Sequence, residues 1–194
     1  YFSDRGAAVY RAQAALCRIA LTAHEAGEDG AGGATSDEAA PYHHRTDQTV
    51  AEAVAALAPE GLKTRITILA NGKLVEKLGV KIEAVPMYNL TAARLRFHNK
   101  GRGNGYVMTF GGKRVYVSGD TEDIPEMRAL KNIDAAFVCM NLPYTMTPEQ
   151  AADAVREFKP KVVYPYHYRG SDTAQFKKLV GDASEVRLRD WYKN

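Results

Sequence analysis

Cysteine is scarce in this chain and never paired. Cys17 and Cys139 stand far apart, so neither a disulfide framework nor a cysteine zinc site is indicated. Cys139, inside the run Ile133 to Met140, reads as a small buried apolar residue. Long hydrophobic runs are lacking as well. None approaches the roughly 20 residues that cross a bilayer, so no membrane partner is expected. An excess of one charge is also missing: the net charge is +3 and the basic residues are scattered. Nothing there makes an electrostatic case for nucleic acid. The first residue is Tyr1 rather than methionine, as in a fragment or a processed product, and no compartment can be read beyond a default to the cytoplasm.

What is present suffices for a core. A chain of 194 residues with 45% apolar content can bury one substantial interior, so one domain is expected. Composition changes near residue 48. Residues 1–47 form an atypical segment: Ala7 to Leu21 has helix-forming composition, but Gly27 to Ala40 has no large apolar side chain and is expected to be a loop or disordered. Residues 48–194 are patterned as the folded domain. Thr49 to Ala58 reads as a helix stopped by Pro59 and Gly61. Thr64 to Leu69 and Val80 to Val85 are strand-like, with a turn at Asn71-Gly72.

The second half is more regular. Tyr106 to Phe110 and Lys113 to Ser118 flank Gly111-Gly112, which tolerate the positive φ of a tight hairpin. Pro125 to Leu130 predicts a short helix with Asp123 as its cap. Ile133 to Met140 is apolar on both faces, as in a strand covered on both sides. Thr147 opens a helix with Pro148 at its first position and Gln150 closing a capping box. Ala151, Ala154, Val155 and Phe158 share one face of it. Strand Lys161 to Tyr166 follows Lys159-Pro160, and strand, helix, strand in this order predicts parallel strands joined by a right-handed crossover.

Two stretches carry the chemistry. Val-Tyr-Val-Ser-Gly-Asp-Thr ends at Asp120 and Thr121, and Val-Val-Tyr-Pro-Tyr-His-Tyr carries His167. Each puts one potential ligand at the C-terminal end of a strand, the edge where open α/β sheets place their sites. Alone, either residue has an ordinary reading: an aspartate after a strand-ending glycine makes a turn, and a histidine beside tyrosines is hydrogen-bonded within the structure. Tyr144, Tyr166 and Tyr168 either line a pocket or pack half-buried. Arg94, Arg96, His98, Lys100 and Arg102, among glycines, form either a basic loop that receives an anion or a solvated connection. Arg169 either binds a carboxylate or phosphate or pairs with Asp172.

Together with Asn141 to Val155, these stretches resemble the C-terminal half of the metallo-β-lactamase-fold hydrolases, closest to an ascorbate-lactonase-like branch, from about Gln48 onward. The resemblance implies an αβ/βα sandwich with an incomplete N-terminal half, in the α/β class. It implies one or two ions of zinc, manganese or iron, with Asp120 as the bridging, catalytic ligand and His167 as a further ligand. Metal-activated water would attack a lactone, amide or phosphodiester in a small-molecule substrate. Arg102, Tyr144 and Arg169 become candidates for substrate contact.

The chain departs from the family where the first motif, His-x-His-x-Asp-His, should stand. Thr22 to Asp29 supplies His24, Ala26, Glu28 and Asp29, of which only His24 matches. A later family histidine is replaced by Tyr88 or Asn89, and Asn89 could offer a carbonyl oxygen. His43 and His44 are adjacent, so on a strand they would face opposite ways. An impaired hydrolase is therefore expected, and the alternative is a non-catalytic member that binds a small molecule or partner, whether a pseudoenzyme or a product of a reading-frame error. Exposed apolar faces beside the incomplete half would favour self-association.

Overall fold

The computed structural model describes residues 67–191, nearly all of the unit Ile68–Asn194. The expected helices at 7–21 and 49–58, the loop at 27–40, and Cys17, His24, His43 and His44 lie outside the described residues. Among the described residues seven strands form one sheet in sequence order: β1 (Leu74–Lys77), β2 (Val80–Met87), β3 (Gly103–Phe110), β4 (Lys113–Val117), β5 (Ala135–Cys139), β6 (Val162–Tyr166) and β7 (Glu185–Val186). β1 to β4 pair antiparallel, and β4 to β7 pair parallel. Helices α1 (Pro125–Arg128), α2 (Pro148–Phe158) and α3 (Thr173–Val180) connect the parallel strands. The expected α/β class is therefore what the chain adopts.

Local sequence explains most elements. Gly111 and Gly112 take φ of 55° and 71°, and the hairpin register pairs Phe110 with Lys113. α2 has its capping box between Thr147 and Gln150, with Pro148 in the first turn. Its face Ala151, Ala154, Val155 and Phe158 is buried against the sheet with Val107, Tyr116, Ala136, Val138 and Val163. Burying a side chain such as Phe158 contributes roughly 2–3 kcal/mol. Lys159 ends α2 in a left-handed cap.

Three expectations need correction. Residues 67–69 are not a strand. The strand before β2 is instead β1, whose Leu-Val-Glu-Lys is largely exposed, so an edge strand wetted on both sides left no alternation to read. Asp123 does not cap α1; Ile124 holds that position without a side-chain bond, and the Asp123 carboxylate pairs with Arg128. β5 is fully buried on one face only. Ala136 and Val138 are sealed, whereas Phe137 is half-buried and stacks on Tyr164 at 5.1 Å. Among the described residues, no helix is long and apolar enough to cross a membrane.

Asp134 links the N-terminal ends of three strands. Its carboxylate accepts from the Arg114 backbone N–H at 3.0 Å, from Lys161 Nζ at 2.8 Å and faces Lys113 Nζ at 3.5 Å. The Lys161 ammonium, the Arg114 amide and the Lys113 charge hold its carboxyl down at about 2. A depressed carboxyl stabilises the fold above its ordinary pKa and ceases to do so as the pH falls through the folded value. The Asp134→Asn variant should therefore be less stable than the parent at neutral pH and converge on it between about pH 4 and pH 2. Urea midpoints measured across that range check this, and a constant difference down to pH 2 would contradict it.

Candidate functional site at the C-terminal edge of the sheet

Three consecutive parallel strands end at one edge with a carboxylate, an amide and an imidazole. β4 runs into buried Ser118, whose hydroxyl donates to the Gly119 carbonyl at 2.8 Å and accepts the Cys139 N–H at 3.1 Å. Gly119 then turns with φ of 66°. A Cβ here would lie 2.9 Å from the Asn104 carbonyl oxygen and 3.1 Å from Met87 Sδ, so the turn needs glycine for conformation and for space. It delivers Asp120, whose N–H donates to Met87 Sδ at 3.2 Å and whose side chain stays partly exposed. β5 leads to Asn141, and β6 leads to His167.

His167 is held in the left-handed region at φ 45°, a conformation costing a non-glycine residue about 1–2 kcal/mol. Its Nε2 lies 3.6 Å from Asp120 Oδ2 and 3.0 Å from Asn141 Nδ2. Asn141 is itself fixed, its N–H donating to Thr145 Oγ1 at 2.7 Å and its carbonyl accepting the Tyr144 and Thr145 amides. The loop beyond His167 is tied across to β5 by Ser171 Oγ, which donates to the Met140 carbonyl at 2.6 Å.

A second imidazole faces the same carboxylate. His98 Nε2 lies 3.8 Å from Asp120 Oδ2. It reaches that place because the loop 89–98 closes on itself, the Asn89 N–H donating to the His98 carbonyl at 2.8 Å. Compact loops with adjoining ends are recurrent carriers of function. Sequence reasoning named His98 only as part of a basic loop and Asn141 only as part of a motif. The signal available for His98 was a histidine shortly after a position where the family places one.

The other candidates fall as follows. Asn89 is buried and donates from Nδ2 to the Arg94 and Tyr144 carbonyls at 2.9 and 2.7 Å, which leaves its buried Oδ1 without a partner. Tyr88 is buried, with its hydroxyl donating to Glu126 Oε2 at 2.9 Å, so it is turned to a structural ion pair with Lys100. Four cations of the basic loop have contacts within the chain. Arg94 bonds Glu122 and Gln150, Arg96 lies over the Phe97 ring at 4.7 Å, Lys100 pairs with Glu126, and Arg102 donates to the Phe97 carbonyl at 2.7 Å. Tyr144 is exposed and meets Phe97 edge to face at 4.9 Å. Arg169 is exposed, and the Asp172 carboxylate caps α3. Burial, followed by the nearby Asp120 charge, pushes the Cys139 thiol up to about 12, so Cys139 is a neutral packing residue as expected.

The donors at this edge suit one side of a divalent ion. Two ligands about 2.1 Å from an ion at tetrahedral angles sit about 3.4 Å apart, close to both imidazole–carboxylate separations. The Asn141 Oδ1 beside His167 is a further buried oxygen without a partner. Yet among the described residues no three His, Cys, Asp or Glu side chains are grouped to hold an ion. The edge therefore supplies part of a donor set.

Comparison with known proteins shows the family of the chain. The family model described as Beta-lactamase superfamily domain matches residues 32–168, beginning upstream of Gln48. The chain is 36% identical over 129 residues to a metal-dependent hydrolase of Thermococcus onnurineus, covering 62% of this chain and 57% of the relative. It is 34% identical over 163 residues to one of Symbiobacterium thermophilum, covering 75% and 70%. Among solved structures, a candidate metal-dependent hydrolase from Parabacteroides distasonis superposes with a TM-score of 0.62 at 47% identity, covering 68% of this chain and 62% of that one. A metallo hydrolase from Ignicoccus hospitalis superposes at 0.53 with 28% identity, covering 64% and 57%. The chain thus spans less than two thirds of the Thermococcus and Parabacteroides relatives.

The Gly119 turn can be tested against a control. Gly112 has a similar φ of 71° but open space where its Cβ would point. Gly112→Ala should cost about 1 kcal/mol for the left-handed conformation alone, and Gly119→Ala at least about 2 kcal/mol because a backbone oxygen must also move. Equal losses in urea denaturation would show that the close approach at Gly119 carries no weight.

Proposed function

We propose that this chain, which belongs to the beta-lactamase superfamily, derives from a metal-dependent hydrolase and keeps that site in a weakened form. The observation that carries the reading is Asp120 Oδ2 near two imidazole nitrogens, His167 Nε2 at 3.6 Å and His98 Nε2 at 3.8 Å. The names of the Thermococcus and Symbiobacterium relatives support a hydrolytic role. In this reading Asp120 and His167 hold a zinc, manganese or iron ion, and His98 faces the same carboxylate oxygen. In the stretch that resembles the family's first motif, His24 is the one match and Ala26 stands where the motif has an imidazole. That deficit is the reason for weakened binding.

An ion held there supplies Lewis acidity toward a carbonyl or phosphoryl oxygen. The chain's own residues set the conditions. With His167 Nε2 as the unprotonated nitrogen, Asn141 Nδ2, 3.0 Å away, would compete for the lone pair an ion would use, and the amide would yield when the imidazole binds. Asn141 then fixes the ring's position in the absence of an ion. Exposed Tyr144 and half-buried Phe97 form an aromatic pair, suited to the apolar part of a small-molecule lactone, amide or phosphodiester. Arg169, exposed two residues after His167, would meet an anionic group on it.

Metal analysis and calorimetric titration test this reading. The purified chain should carry well under one zinc, manganese or iron ion and approach one on titration with zinc. Asp120→Ala and His167→Ala should each weaken that binding at least about tenfold. A wild-type chain that takes up none of the three metals, or an Asp120→Ala variant that binds equally well, would overturn it in favour of a non-catalytic binding protein.

A further inference from the structure

Glu122 is buried at 1% exposure, and everything it touches belongs to the site's surroundings. One carboxylate oxygen accepts the Leu90 and Thr91 N–H groups, each at 2.6 Å. The other accepts from Arg94 Nη1, and the same guanidinium nitrogen donates to Gln150 Oε1 at 3.0 Å. Gln150 is also the closing residue of the capping box at the start of α2. Glu122 thus binds both ends of the short 3-10 turn Ala92–Arg94, from the amides before it to the arginine that ends it. The chain is joined again just upstream, where the Glu122 N–H donates to the Tyr88 carbonyl at 2.9 Å and Thr121 Oγ1 accepts the Tyr88 N–H at 3.1 Å.

These bonds fix one face of the loop 89–98, and the loop's own bonds carry the constraint to its far end. Asn89 Nδ2 reaches the Arg94 carbonyl, and the Asn89 N–H reaches the His98 carbonyl. Asp120, which His98 faces, lies two residues before Glu122 in sequence. The segment Asp120 to Glu122 therefore presents one carboxylate to the site and uses another to hold the loop that brings an imidazole to it.

We propose that Glu122 is the positioning residue of this site: through the loop 89–98 it sets His98 against Asp120. The role rests on the reading of Asp120 and His167 as ion-holding residues. Glu122 touches no reacting atom and acts through His98. A glutamine in its place would turn an amide N–H₂ toward either the two backbone donors or Arg94, so one side of the anchor is lost whichever way it is oriented.

Glu122→Gln, Glu122→Asp, His98→Ala and the double variant Glu122→Gln/His98→Ala of the full chain decide the matter. Hydrogen exchange at the Leu90 and Thr91 amides and the His98 ring resonance are read without metal, and the dissociation constant is then read with zinc alone. Glu122→Gln should speed exchange at both amides at least about tenfold and move the His98 resonance. It should weaken zinc binding about tenfold, the loss typical when a residue orienting a ligand is removed. Glu122→Asp should recover part of each effect, and the double variant should bind zinc no more weakly than His98→Ala. Unchanged exchange and an unchanged His98 signal in folded Glu122→Gln would overturn the proposal, as would losses that add in the double variant. Should Glu122→Gln fail to fold, Arg94→Lys is read by the same three measurements. A wild-type chain that binds no zinc sinks the site reading instead, and exchange and the His98 resonance still decide whether Glu122 anchors the loop.

Discussion

A carboxylate sealed from water must be met by donors on both oxygens, because an unmatched buried charge costs on the order of 3–5 kcal/mol. At Glu122 the donors are two backbone amides and a guanidinium. Burial alone would push its carboxyl up, but the Thr91 and Leu90 amides and Arg94 outweigh it and hold the group below its usual range. Meeting that charge dictates the path of residues 88–98. The loop has to pass over the end of β4, bring its amides to Glu122 and send Arg94 back toward α2. The position of His98, the edge-to-face contact of Phe97 with Tyr144 and the burial of Asn89 are consequences of that path.

The sheet provides the other half of the arrangement. Parallel strands β4, β5 and β6 end side by side, so residues distant in sequence, Asp120, Asn141 and His167, share one edge. Two backbone conformations uncommon for their neighbours aim the side chains: a left-handed glycine at Gly119 and a left-handed His167. Such positions persist where surrounding bonds over-determine them. Here Met87, Ser118, Asn141 and Ser171 supply those bonds.

Much of the fold is legible in the residues because the signals are local. The Gly111-Gly112 hairpin, the Thr147 capping box and the apolar face of α2 each depend on neighbours within a few positions, and each occurs where expected. β1 is not legible, since an edge strand exposed on both faces has no periodicity to show. Asp123 illustrates a different limit. Its cap position was plausible locally, but Arg128 offered a full charge and took the carboxylate. At the site, Asp120 and His167 could be named from strand ends. His98 could not, because its place depends on Glu122 and Arg94, and nothing in a one-dimensional pattern says that those two side chains meet. The same contact takes up Arg94 of the basic loop, whereas Arg96, Lys100 and Arg102 stay exposed.

The account stands on an ion being held at the edge where β4 and β6 end. Anomalous diffraction at the zinc edge, from crystals of the whole chain soaked in zinc, tests this directly. The expected result is a single dominant peak about 2.1 Å from Asp120 Oδ2 and His167 Nε2, with the Asn141 amide displaced from the imidazole. A zinc peak elsewhere, with Asn141 still hydrogen-bonded to His167, would contradict it.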